Sequence, residues 1–74
     1  MPKLRVFSGA ELCAFLGLYG YVAVRQRGSH VIMQRVDESG TTTVPVPNHK
    51  EIRRGTLRSI IRQSGLDRSL FEYE

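Results

Sequence analysis

Cysteine is almost missing from this chain. Cys13 is the only one in 74 residues. A lone thiol excludes an internal disulfide framework and any multi-cysteine zinc site, and it suits a reducing compartment. Set within an apolar helical pattern, Cys13 reads as a small buried hydrophobe. Histidine is also scarce, with His30 and His49 alone. Two imidazoles without further ligands argue against a metal site, and nothing in the chain asks for a cofactor. Long hydrophobic runs are absent. The longest uncharged stretch, CAFLGLYGYVAV, is broken by Gly17 and Gly20 and falls short of the roughly 20 residues that a spanning helix needs. The opening MPKLRVFSGAEL has no apolar core followed by a small-residue cleavage site. The expectation is a soluble, cytoplasmic protein with no membrane partner. Neither G-x-G-x-x-G nor G-x-x-x-x-G-K-[ST] occurs, so Gly28 belongs to no phosphate-binding glycine loop.

Acidic residues are the last shortage. Seven Asp and Glu face eleven Lys and Arg, for a net charge of +4. That imbalance favours an anionic partner: nucleic acid first, acidic protein second. The length implies one domain over residues 1–74, without room for a large enclosed substrate cavity. A domain this small buries only about 60% of its unfolded surface, so an active site must lie on an open face or in a shallow groove.

The chain has no repeat, low-complexity tract or linker. Ser8 followed by Glu11 is a capping-box pattern. Leu12, Phe15, Leu16 and Tyr19 then make one apolar stripe. This predicts a first helix over Gly9 to Leu18, stopped near Gly20. YVAVRQRGSHVIMQRV follows as two strand-like runs around Gly28-Ser29, a pair suited to a type II′ hairpin turn. A two-residue loop sets Arg27 opposite His30, Val24 opposite Met33 and Val22 opposite Arg35. Val22, Val24, Gln26, Val31 and Met33 then share a core face. Tyr21, Arg25, Arg27, His30, Ile32 and Gln34 share the other, because opposed residues lie on one side. A third run, TTTVPVP, enters through the turn DESG with Val44 opposite Met33 and Val46 opposite Val31. Pro45 and Pro47 lack amide donors and assign that strand to an edge. A second helix over Leu57 to Ser64 is expected, with Thr56 as N-cap and Gly65 as stop. Leu70 and Phe71 of the tail pack back. The order helix, three-stranded antiparallel meander, helix requires both helices on the one apolar face of the sheet. The opposite face stays open.

That open face gathers Arg25, Arg27 and His30. Arginine offers phosphate a planar fork of donors, and imidazole is the side chain suited to proton transfer near neutral pH. Set beside a phosphodiester, the pair suggests RNA cleavage through the ribose 2′-hydroxyl, with cations stabilising charge on the phosphorus-bound oxygens. A solvent-exposed loop histidine is the alternative. His49, in PVPNHKE, reads as a loop residue near a helix start, or as a proton donor or phosphate contact. Lys50, Arg53, Arg54, Arg58 and Arg62 form a second basic cluster: a solvated helix face or a phosphate-tracking edge.

VRQRGSHVIM, then VPVPNHKEIRRGTLRSIIRQSGL, then LFEYE resemble the HicA-type toxins of bacterial toxin–antitoxin modules. Separated motifs occur in the family's order and spacing across nearly the whole chain. The resemblance implies an α+β fold of α-β-β-β-α order, like a double-stranded-RNA-binding domain. It implies a metal-independent endoribonuclease, an mRNA interferase that cleaves mRNA and blocks translation, held in check by a HicB-type antitoxin. The family's catalytic histidine falls on His30, and the motif's turn on Gly28 and Ser29. Those two join Arg25, Arg27, Lys50 and Arg54 as expected RNA contacts. Met33 departs from the family, which often carries an aromatic there; since it faces the core, a packing change is expected. Two other readings compete: a non-catalytic module that binds duplex RNA by shape and backbone, and a scaffold whose role is to bind an acidic protein.

Overall fold

A computed structural model describes residues 2–73. In chain order the elements are β1 (Lys3–Leu4), α1 (Gly9–Gly17), β2 (Val22–Arg27), β3 (His30–Asp37), β4 (Gly40–Pro47), α2 (Arg54–Ser64), a 3-10 turn (Arg68–Phe71) and β5 (Glu72–Tyr73). β2, β3 and β4 form an antiparallel meander with β3 in the centre. β1 and β5 form a separate two-stranded ribbon, which joins the two ends of the chain.

α1 starts where its side chains satisfy the orphan amides of the first turn. The Ser8 hydroxyl accepts from the Glu11 amide at 3.0 Å, and the Glu11 carboxylate accepts from the Ser8 amide at 2.8 Å. Leu12 and Leu16 are fully buried. Their stripe partner Phe15 stacks obliquely on Phe7 and Phe71, with ring centroids 5.4 and 5.0 Å apart. α2 begins earlier than the sequence pattern suggests. Its N-cap is Arg53, which makes no side-chain capping bond, and Thr56 lies inside the first turn. The extra residues, Arg54, Gly55 and Thr56, include no large apolar side chain, so hydrophobic periodicity could not register them; burial of Ile52 and Leu57 on either side of the start fixes the entry instead. Gly65 ends α2 in the left-handed region at φ 71°, as expected.

Leu12, Leu16, Leu57, Ile60 and Ile61 from the two helices pack with Met33, Val44 and Val46 from the sheet in one core. Both helices thus cover the same face, and Met33 packs inward. Val44 and Val46 are fully buried, and burying a valine is worth about 1.5–3 kcal/mol. They oppose Met33 and Val31 as expected. The molecule measures 34 × 29 × 18 Å. Its short dimension matches one helix layer on one sheet, so no third layer covers the other side.

The β2 register departs from expectation halfway along. Arg27 opposes His30, Gln26 opposes Val31 and Arg25 opposes Ile32. A bulge at Val24 then shifts the strand, so that Ala23 opposes Met33 and Val22 opposes Gln34. One extra residue inverts the faces of everything before it. Val22 and Val24, expected in the core, are 63% and 47% exposed, while Tyr21, expected on the open face, is 3% exposed. The exchange favours burial because a tyrosine ring covers more apolar area than a valine and brings a donor with it. The Tyr21 hydroxyl donates to the Ser64 carbonyl at the end of α2, at 2.7 Å, and burial pushes its phenol pKa up. The Arg35 guanidinium lies 5.0 Å from the Tyr21 ring centroid. It reaches the carbonyls of Tyr19 and Ser64 at 3.5 and 3.4 Å. A cation therefore sits at the C-terminal ends of both helices, where the helix dipoles favour it.

Candidate functional site

The sheet face without helices carries a groove of about 550 Å³ lined by Arg27, Gly28, His30, Ile32 and Pro45. Each lining residue has a local cause. Gly28 takes φ 58°, and no non-glycine residue among those described has positive φ. That combination fits a type II′ turn and not type I′. The turn is braced from two sides. The Gln26 side-chain amide donates to the Gly28 carbonyl at 3.1 Å, and the Asn48 amide donates to the Ser29 carbonyl at 2.6 Å. His30 is the first residue of β3 and is exposed. It has Arg27 directly opposite on β2 and Pro47 opposite on β4. Ile32, two residues on, is only 7% exposed but lies outside the helix-covered core. It forms the groove floor with Pro45, its neighbour across β3 and β4.

The groove therefore has an apolar floor and a cationic rim, and no carboxylate lines it. Arg25 opposes Ile32 and so shares this face. No hydrogen bond to the His30 imidazole occurs among the described residues. The ring is accessible to a ligand. Such a surface suits an anion carrying a flat apolar group, the combination a nucleotide presents.

The expected site residues do not all converge. Arg25, Arg27, Gly28, Ser29 and His30 lie together on the hairpin. Lys50 is exposed on the loop after β4. Arg54 belongs to another part of the surface, where it lines a hollow of about 250 Å³ with Lys3, Arg58 and Arg68. Cys13 is half-buried against the core, and burial pushes its thiol pKa up, away from reactivity at neutral pH. Among the described residues no three of His, Cys, Asp or Glu converge as a metal site, and no helix is long and apolar enough to cross a membrane.

Sequence reasoning did not reach Ile32 as the groove floor or the 47–49 loop as the brace of the turn. The strand alternation had already set Ile32 on the open face with His30, but it gave no sign that this side chain is only 7% exposed and lines the groove. The brace is a backbone contact, which side-chain identity does not encode.

The α-β-β-β-α order, with both helices on one sheet face, is a small α+β fold of the double-stranded-RNA-binding-domain kind. The family model for the HicA toxin of bacterial toxin–antitoxin systems matches residues 9–66. That is most of the chain, which therefore belongs to the HicA toxin family. It is a toxin of a toxin–antitoxin module, and such a module supplies an antitoxin as partner. The match runs from the start of α1 to just past α2, so the β1/β5 ribbon lies outside it. No curated protein and no solved structure gives a significant match.

Proposed function

We propose that this toxin is a metal-independent endoribonuclease acting on mRNA in the cytoplasm, with residues 1–74 working as one toxin domain. The observation that carries the reading is an exposed imidazole at the rim of a cationic, apolar-floored groove on the sheet face that no helix covers. His30 is the catalytic residue, and it removes the ribose 2′-hydroxyl proton. The 2′-oxygen attacks phosphorus and the bond to the 5′-oxygen breaks, leaving a 2′,3′-cyclic phosphate and a 5′-hydroxyl. Arg25 and Arg27 engage the phosphate oxygens, where the transition state gathers charge. Gly28 and Ser29 keep the turn narrow enough for the backbone to approach the RNA. Lys50 and Arg54 contact phosphates further along the strand. A HicB-type antitoxin inhibits by covering the open face.

The test compares wild type and His30→Ala on single-stranded RNA with excess chelator. Wild type should give cyclic-phosphate ends. The variant should lose about 10²–10⁴-fold in cleavage, with RNA binding within a few-fold of wild type. Cleavage at the wild-type rate would remove His30 from the chemistry. Tight RNA binding by wild type without any product would instead favour the non-catalytic duplex-binding reading.

A further inference from the structure

Cleavage through the 2′-hydroxyl needs two proton transfers. One proton leaves the attacking 2′-oxygen, and one arrives at the departing 5′-oxygen. The groove lining holds a single imidazole; its other members are an arginine, a glycine, an isoleucine and a proline. Arginine keeps its protons in proteins, so the groove by itself supplies one of the two transfers.

The other imidazole of the chain is tied to the same end of the sheet. The Asn48 amide donates to the Ser29 carbonyl at 2.6 Å. His30 and His49 each lie one residue beyond that contact. Standard backbone dimensions then keep their Cα atoms within roughly 10 Å of each other. Two imidazole side chains at that spacing can flank one phosphodiester. The loop is held from its far side as well. The His49 carbonyl accepts from the Gly9 amide at 2.8 Å, so the start of α1 fixes the loop that braces the turn. Gly9 is buried in this contact. A Cβ there would meet the Asn48 Cα at 2.9 Å and the His49 nitrogen at 3.1 Å, with the Pro47 carbonyl oxygen closer still. Only glycine lets the helix start sit this close to the loop. Both anchors of His49 are backbone groups. Its exposed side chain makes no hydrogen bond among the described residues and contributes nothing to the core.

Resting on the nuclease reading above, we propose that His49 is a second catalytic residue, the acid that protonates the 5′-oxygen as its bond to phosphorus breaks. His30 accepts the 2′-hydroxyl proton and His49 delivers one, so the protein's net proton count is unchanged across the cleavage. Reprotonation and deprotonation by solvent then reset the pair.

The experiment uses two substrates: an RNA with a normal 5′-oxygen at the cleavage site, and the same RNA with sulfur in place of that bridging oxygen. A thiolate departs without a proton, so an acid is needed only for the first. His49→Ala should cut the normal RNA at least about 100-fold more slowly than wild type, the range of a lost general acid. On the sulfur substrate it should come within a few-fold. His30→Ala should stay defective on both. Unchanged thermal unfolding of His49→Ala is expected, because both anchors are backbone. Near-wild-type cleavage of the normal RNA by His49→Ala overturns the proposal. So does an equal defect on both substrates, which would make His49 a phosphate contact or a structural residue. If wild type cleaves neither substrate, the nuclease reading itself fails and takes this inference with it.

Discussion

The two ends of the β2–β3 hairpin are built for different tasks. At the turn end, Arg27, Gly28, Ser29 and His30 are all exposed, and the register is regular. At the base, beyond the bulge at Val24, Tyr21 is buried, Arg35 is largely covered, and both reach the carbonyl that closes α2. One hairpin thus anchors the helices at its base and offers charge to solvent at its tip. The bulge separates the two, because it lets the base follow the core while the tip keeps its arginines on the open side. A small domain has few elements to spend on either role.

The base should be the costly end to disturb. Tyr21→Ala removes a buried ring and the donor to Ser64, and should lower unfolding free energy by about 3–5 kcal/mol in urea titration. Tyr21→Phe, which keeps the ring, should lose only about 1 kcal/mol. The tip variant His30→Ala should change stability by less than about 0.5 kcal/mol, as for an ordinary surface position. A comparable loss at tip and base would erase the division of the hairpin into an anchoring base and an exposed tip.

Gly9→Ala tests the connection between tip and core. The new methyl group must push the 47–49 loop away from the helix start. A loss of about 1–3 kcal/mol is expected for such overpacking, together with reduced RNA cleavage as the brace on Ser29 moves. A variant as stable and active as wild type would show that the loop has slack.

The smallest effect concerns acid. The Asp37 carboxyl is held below its ordinary value by hydrogen bonds from the Ser39 hydroxyl and amide. Asp67 is held low by hydrogen bonds from Ser69, its amide first. Both groups bind protons less readily folded than unfolded. Their contribution is therefore complete above the ordinary carboxylate range and fades as pH falls through it toward the lowered folded values. The urea midpoint should drop between pH 5 and pH 3. Asp67→Asn, which can still cap the 3-10 turn, should show a shallower drop with little change at pH 7.

Much of the tip was legible in the sequence, because its signals are local. Gly-Ser between two strand-like runs specifies a tight turn, which sets Arg27 across from His30 without help from the rest of the fold. The β3–β4 register was equally readable: Val44 and Val46 align with Met33 and Val31 through a short turn, and all four belong on one face. The capping box at Ser8 and Glu11 involves residues three apart and needs no tertiary partner. The Val24 bulge had no such signal. YVAV alternates acceptably in either phase, and the choice depends on whether tyrosine or valine better fills the space between the ends of two helices.

By itself, then, the sequence determined the order of the two helices and the three meander strands, the turn that presents His30, and the excess of positive charge. These rest on residue spacing and local backbone preference. Tertiary structure alone decided which face Tyr21 takes, that Arg54 sits apart from the groove, that residues 3–4 pair with 72–73 as a ribbon, and that the Gly9 amide at the start of α1 holds the His49 carbonyl. Those outcomes depend on backbone contacts and competing burials between segments distant in the chain. No local pattern carries that information.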